Sequence, residues 1–307
     1  MSKLLVVDTG GNGIRTCVVV DRLPIRSTLK ESGKSKTLES WFDFISDQMA
    51  DIRFDDNIDA IIYSAAGKIQ NDDLMVNWPN GRWLDGTYLA TETTKCFGLP
   101  SRVYNDARTA TKGMYFMTQE PNFAGITISS GIGGRFCLNG QILDNNTEVF
   151  GHMLWDPNSR KKCGCGVYGH YEAHFSGDAI IQEINEEMSY RGTSIPTDVH
   201  PCRYLDLSFD SGATWARHIY KQWANGFGAL MANLVSFYPI EALVYKGTFG
   251  INAIPRTEEW IRESMRHFIM PGLLDRVENL RFVQSPGFKN EDAFVGAAIC
   301  YEESLCI

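Results

Sequence analysis

The chain has 307 residues, 44% hydrophobic and 21% charged, with a formal net charge of −8. That length suits two domains of ordinary size, and that balance belongs to a globular protein with a substantial core, which excludes disordered and fibrous classes. Net negative charge without clustered Lys and Arg lacks the footprint of a nucleic-acid binder, and no stretch reaches the roughly 18 apolar residues of a membrane span. The opening MSKLLVVDTGG runs into an apolar strand pattern with no secretion leader, so a cytoplasmic location without nucleic-acid or membrane partners is expected. In that setting the eight cysteines are expected as reduced thiols or metal ligands rather than disulfides.

In chain order, the pattern predicts a strand over 4–8, a glycine-rich turn at Gly10, Gly11 and Gly13, and a second strand over 16–20. Leu38, Trp41, Phe42, Ile45 and Met49 follow helical spacing, and 58–63 reads as a buried strand ending at Ala65-Ala66-Gly67. A short apolar strand then ends at Asn105-Asp106, before a helical stretch. The order restarts near Gly125 with a strand over 126–129, a turn at Gly131, Gly133 and Gly134, a strand over 136–138 and a hairpin signal at Asn139-Gly140. The chain therefore reads as two related halves. Ala216, Ile219, Trp223, Phe227, Leu230, Leu234 and Phe237 mark a long helix that stops before Pro239, followed by a strand over 242–245 and a final helix over 293–303.

Three groups of residues could carry chemistry. In Asp8-Thr9-Gly10-Gly11-Asn12-Gly13, glycines let backbone N–H groups approach phosphate oxygens, and the carboxylate at the strand end can hold magnesium through water. The alternative is a hairpin turn that needs positive φ. The second turn, Ser129-Ser130-Gly131-Ile132-Gly133-Gly134, stands at the corresponding place in the other half, and two phosphate loops suit a nucleotide-like donor. Asn105 can hydrogen-bond sugar hydroxyls, while Asp106 either accepts the proton of an attacking hydroxyl or caps the following helix. Cys163, Cys165, His170 and the upstream His152 make a tetrahedral donor set suited to structural zinc. Its alternative is buried free cysteines beside surface histidines, with His174 competing for the fourth position. His200 and His218 read as ordinary polar residues.

In this order and spacing the three groups resemble the ROK family of repressors, open reading frames and sugar kinases, over 4–177. The first stretch is similar to the family's D-x-G-G-T phosphate motif, with Asn12 where threonine is usual. The resemblance makes Asp8, Gly10, Gly11, Asn12, Ser130, Gly131 and Gly133 the phosphate-binding set. Asn77-Trp78-Pro79, followed by Trp83, resembles the N-L-P-x-W sugar loop. Asn105-Asp106-Ala107 matches N-D-A, whose aspartate is the catalytic base. Gly151-His152-Met153 resembles the end of G-E-x-G-H-M, in which the glutamate binds sugar and the histidine touches both zinc and sugar. Glu148 stands one residue farther upstream than that pattern requires, which is read as an insertion. Cys163 to Glu172 is similar to C-G-C-G-x-x-G-C-x-E, with His170 replacing the third cysteine, as the fructokinase branch also uses a histidine in this region. Glu172 then matches the second sugar-binding glutamate.

The resemblance implies an α/β fold: a two-domain actin-like (ribonuclease H-like) hexokinase fold with mixed sheets flanked by helices, hinged around a sugar cleft. The domains expected are 1–110 and 111–307, with a zinc-binding insertion at about 150–177 and a final helix, 292–304, that packs back on the first domain. It also implies a homodimer or homotetramer that transfers phosphate from ATP with Mg2+ to a hexose hydroxyl, glucose 6-phosphorylation being the reading chosen. Asn77, Asn105, Asp106, Glu148, His152 and Glu172 would hold the sugar, Asp106 would be the base, and His152, Cys163, Cys165 and His170 would hold structural Zn2+. The rival readings are a sugar-responsive regulator, for whose helix-turn-helix domain the position of Asp8 leaves no room, and a catalytically weak sugar-binding protein. On the donor side, Arg135 stands at the third glycine position of the family's second turn, and the stretch from Leu243 to Thr248 keeps one glycine of a family G-G-G run. Lys246 and Thr248 would crowd a nucleotide base, while Arg135 and Lys246 add positive charge near the phosphate path. Inorganic polyphosphate is therefore an alternative donor, and Asn146-Thr147-Glu148 resembles the polyphosphate glucokinase branch.

Overall fold

The computed structural model describes residues 2–10, 13–30, 37–51, 58–78, 82–143, 150–287 and 291–306, with backbone alone at 10, 13, 26–30, 51, 77 and 82. The chain divides into two compact units, 1–119 with 286–307, and 120–285.

The first unit is built on strands β1 (Lys3–Gly10), β2 (Gly13–Val20), β3 (Leu23–Lys30), β4 (Ala60–Ala65) and, after the short hairpin β5 (Lys68–Gln70) and β6 (Leu74–Asn77), β7 (Ser101–Asn105). Their order is β3-β2-β1-β4-β7, antiparallel from β3 to β1 and parallel across β1, β4 and β7. Successive side chains of a strand point to opposite faces, and both faces of this sheet are covered. Leu5, Val7, Ile61, Tyr63 and Val103 pack with Trp41 and Ile45 of helix α1 (Leu38–Asp51) and Leu89 of helix α2 (Leu89–Phe97). Leu4, Val6, Ile62 and Tyr104 pack with Phe294, Ala297 and Tyr301. Burial on both sides explains why these strands read as unbroken apolar runs. Helix α3 (Asp106–Thr118) follows β7 directly.

The second unit repeats the plan. Strands β8 (Phe123–Ile128), β9 (Ile132–Leu138) and β10 (Gln141–Ile142) form an antiparallel meander whose turn places Asn139 and Gly140 at φ of 51° and 75°, as Asn-Gly signals. After helices α4 (Glu172–Phe175), α5 (Gly177–Tyr190), α6 (Pro201–Asp210) and α7 (Thr214–Phe237) comes β11 (Ala242–Lys246), parallel to β8. Helices α8 (Gly250–Phe268) and α9 (Leu274–Glu278) then lead to β12 (Arg281–Gln284), giving the order β10-β9-β8-β11-β12. Ile219, Trp223, Phe227, Leu230 and Leu234 of α7 are buried in its core.

The last helix, α10 (Glu291–Ser304), belongs to the first unit, where it lies against α3. The passage between units falls after Gln119, not at 110, which would cut α3. The sequence pattern gave no sign of β3. It is an edge strand whose Leu23 and Ile25 face solvent, and its turn holds Asp21 and Arg22, not Asn-Gly, at positive φ. The cysteines carry free thiols, and no helix among the described residues is long and apolar enough to cross a membrane.

Candidate functional site

In the first unit the parallel strands end in register, Asp8 beside Ser64 and Ala65 beside Asn105, so their polar residues share one carboxyl edge of the sheet. Open α/β sheets bind ligands at that edge. Asp8 is 6% exposed, and its Oδ1 accepts a hydrogen bond from Ser64 Oγ at 3.1 Å. Ser64 Oγ lies 2.8 Å from Thr109 Oγ1, which in turn lies 3.0 Å from the carbonyl oxygen of Asp106.

Asn105 is the N-cap of α3, at φ −65° and ψ 140°, with Oδ1 accepting from Arg108 N–H at 3.1 Å. Its Nδ2 donates to the carbonyl of Gly67 at 3.0 Å and to Asp106 Oδ1 at 3.2 Å. Asp106 is the first helical residue and accepts from Ala107 N–H at 2.8 Å. Of the two roles open to Asp106, the cap is therefore taken by its neighbour. The helix N-terminus stabilises the carboxylate in its charged form. Gly11 and Asn12, expected phosphate binders, lie outside the described residues, as does the side chain of Asn77. Trp78 beside it is buried edge-on to Trp41 and Trp83 at 6.0 and 5.3 Å, and its backbone N–H donates to Asp85 Oδ1 at 2.7 Å.

In the second unit the turn from β8 to β9 is tied to two helix starts. The carbonyls of Ser129 and Ser130 accept from Gly177 and Asp178 N–H at the start of α5, at 2.7 and 3.3 Å, and Ser129 Oγ accepts from Thr248 N–H before α8, at 3.1 Å. Converging helix N-termini give this turn an anion-favouring field. Gly131 leaves room for the carboxylate of Glu172, which a Cβ would meet at 2.6 Å. Gly133 lies within β9, opposite Thr127, not in the turn. Gly134 serves packing, since a Cβ there would come within 2.9 Å of the Phe150 ring. Arg135 does not supply exposed charge: it is 2% exposed and donates to the carbonyl of Leu143 at 3.4 Å.

The segment carrying Gly151 to Met153 runs beside 169–172, with Tyr171 N–H bonded to the Met153 carbonyl and Glu172 N–H to that of Gly151, at 3.0 and 2.8 Å. Cys163 and Cys165 sit on a tight knuckle closed by bonds from Cys163 N–H to Val167 and from Gly166 N–H to Cys163, both 2.8 Å. This brings the donor atoms of His152, Cys163, Cys165 and His170 within 4.8 Å of one another. Cys163 Sγ is 3.4 Å from His152 Nδ1, and Cys165 Sγ is 3.3 Å from His170 Nδ1. Tetrahedral zinc, with bonds of about 2.3 Å to sulfur and about 2.1 Å to nitrogen, implies S···N edges of about 3.5 Å, so the donor set fits that ion. Burial pushes the Cys163 thiol well above its ordinary range, while burial and the neighbouring His152 lower His170 toward its neutral, ligating form. His174 stands outside the group, its Nε2 2.8 Å from Ser159 Oγ. Glu172 accepts from Ile132 N–H at 2.9 Å through Oε2 and from Cys163 Sγ at 3.1 Å through Oε1. Glu148 lies outside the described residues.

Sequence reasoning missed Ser64 and Thr109, and it placed Ser129 in the second turn without its bond to Thr248. Ser64 had one signal, a polar residue closing a buried apolar strand, and it is fully buried. Thr109 had none, and nothing marked the contact of Ser129 with Thr248, because these partners are distant in sequence.

The ROK family profile matches residues 4–304. A glucokinase of Pyrobaculum calidifontis is 27% identical over 258 residues, covering 82% of this chain and 81% of that protein. An N-acetylmannosamine kinase of Haemophilus influenzae is 25% identical over 315 residues, covering 99% of this chain and 96% of that protein. The crystal structure of a ROK family glucokinase from Streptomyces griseus, in complex with glucose and AMPPNP, matches with a TM-score of 0.81 at 22% identity, covering 97% of this chain and 99% of that one. The α/β, actin-like fold expected from the sequence is thereby borne out. With its profile matched from the first strand to the last helix, the chain belongs to the ROK family.

Proposed function

We propose that the chain is a sugar kinase that transfers a phosphoryl group from ATP, accompanied by Mg2+, to a hexose hydroxyl. The observation that carries this reading is the division of labour at the start of α3: Asn105 is the N-cap, and the carboxylate of Asp106 stands in the first turn, where the helix N-terminus favours its charged form. In the reaction proposed, Asp106 accepts the proton of the attacking hydroxyl as the phosphoryl group leaves ATP, and Asn105 orients the sugar. Asp8 holds the hydrated magnesium that neutralises the phosphate charge. Ser130 and Gly131 hold phosphate oxygens at the turn where two helices start. Within the second unit, His152 and Glu172 are the residues we assign to sugar binding.

Zinc, held by His152, Cys163, Cys165 and His170, would be structural: it cross-links the knuckle to the segment of His152 and so fixes the ring that contacts sugar. Glucose, phosphorylated at its 6-hydroxyl, is the acceptor we favour, supported by relatives named glucokinase. N-acetylmannosamine is the competitor, from relatives of similar identity. ATP is preferred over polyphosphate because the buried Arg135 is withdrawn from the phosphate path. A coupled phosphorylation assay over hexoses and N-acylhexosamines, run with ATP and with polyphosphate, tests the reading. Saturable formation of glucose 6-phosphate from ATP is expected; folded protein that phosphorylates no sugar with either donor would overturn it.

A further inference from the structure

Asp8 is buried, and a buried carboxylate is costly unless hydrogen bonds stabilise its charge. Its donor Ser64 belongs to a chain of hydroxyls that crosses from β4 to α3, with both Ser64 and Thr109 fully buried. Each hydroxyl has one hydrogen to give. With Asp8 ionised, Ser64 gives its hydrogen to Asp8 Oδ1 and must accept in the 2.8 Å contact, so Thr109 supplies that hydrogen. The contact from Thr109 Oγ1 to the Asp106 carbonyl, 3.0 Å, then cannot use the same hydrogen. The alternative orientation turns Thr109 toward that carbonyl and Ser64 toward Thr109, withdrawing the Ser64 hydrogen from Asp8 Oδ1. Charge on Asp8 therefore sets the direction of the whole chain.

We propose that Ser64 and Thr109 are positioning residues for the kinase reaction: a two-hydroxyl relay that aims the Asp8 carboxylate and registers it against the helix turn that begins with Asp106. The relay lies wholly within the first unit. It rests on the kinase reading for its purpose, but its geometry stands on the buried contacts themselves. Partners that orient a metal-binding carboxylate typically change metal affinity or activity about 10- to 100-fold when removed. Ser64→Ala deletes the donor to Asp8, Thr109→Val keeps the shape of the side chain without its hydroxyl, and Thr109→Ser keeps the hydroxyl.

The test measures Mn2+–AMPPNP binding by water-proton relaxation beside kcat, KM for sugar and Tm, for wild type and the three variants. Ser64→Ala and Thr109→Val are expected to weaken Mn2+–AMPPNP binding about tenfold and to lower kcat by a similar factor. KM for sugar should stay within about twofold, and Thr109→Ser should recover what Thr109→Val loses. A merely structural role would move Tm and leave these quantities unchanged in the folded fraction. Unchanged Mn2+–AMPPNP binding and kcat in a folded Ser64→Ala variant of an active kinase would overturn the relay and leave the kinase reading intact. Wild type that phosphorylates no sugar, yet whose Mn2+–AMPPNP binding falls tenfold with Ser64→Ala, would overturn the kinase reading and leave the relay. Wild type that binds no Mn2+–AMPPNP would overturn both.

Discussion

Replacing Gly113 by Ala adds a single methyl group to the middle of α3, where α10 crosses it. The new Cβ would overlap the carbonyl of Asp292 and stand 2.7 Å from its Cα, whereas ordinary contact begins at 3.4 Å. These are backbone atoms of a helix, which cannot swing aside as a flexible side chain does. Gly296 meets the Thr109 carbonyl in the same crossing, so the two helices touch main chain to main chain. Relief requires them to part by on the order of 1 Å, lifting Phe294, Ala297 and Tyr301 from Leu4, Val6 and Ile62. Overpacking costs about 1–3 kcal/mol, and the upper end applies where both sides are backbone. Alanine's better helix propensity returns about 1 kcal/mol. The net loss is about 2 kcal/mol, or a fall of about 8 °C in the melting of a unit of this size. Because α3 begins with Asp106, a displacement of about 1 Å is also expected to cut turnover by up to about 10²-fold. Scanning calorimetry and the phosphorylation assay read both effects. Gly98→Ala is the control: at φ +69° with nothing within 4 Å, it should cost about 1 kcal/mol of backbone strain and leave turnover alone. A Gly113→Ala protein as stable and as active as wild type would refute the reasoning.

Metal analysis should find about one zinc per chain; Cys163→Ser should lose it, and His170→Cys, which keeps a competent ligand, should retain it. Because burial raises the Cys163 thiol, zinc must displace its proton, so zinc affinity should fall as pH falls; competition against a chromophoric chelator at several pH values checks the sign. Burial pushes the Tyr63 phenol from its ordinary 10.0 up to about 12, against a smaller opposing effect of its bond to Thr93. Its contribution is complete below pH 10 and is lost as pH rises through about 12, a loss on the order of 3 kcal/mol in all. Urea titrations across that window should show a shallower decline for Tyr63→Phe than for wild type.

The parts of this fold that were legible are those whose residues are buried on every side or marked by local turn chemistry. β1, β4 and α7 announced themselves as apolar runs or helical periodicity, and Asn139-Gly140 as a hairpin. β3 was illegible because its Leu23 and Ile25 lie on an exposed edge, where no alternation is enforced. Helix α8 was unread because Pro255 lies inside it and breaks the expected pattern. The metal-fitting group was visible because its cysteines and one histidine crowd a single short segment, with His152 a short way upstream. The cap assignment was not visible, since Asn105 and Asp106 are equally good capping residues and only the backbone angles separate them. The contact of Glu172 with Ile132, and that of Ser64 with both Asp8 and Thr109, join residues far apart in the chain. Periodicity and local spacing carry no record of such pairs.

The central claim, that Asp106 is the base of a sugar kinase, is tested most directly by the turnover of Asp106→Asn measured beside its sugar affinity. Asparagine keeps the shape and the bond to Ala107 N–H but cannot take the hydroxyl proton. Turnover should fall at least about 10²- to 10⁴-fold while sugar still binds. Near-normal turnover in a folded Asp106→Asn protein would contradict the account.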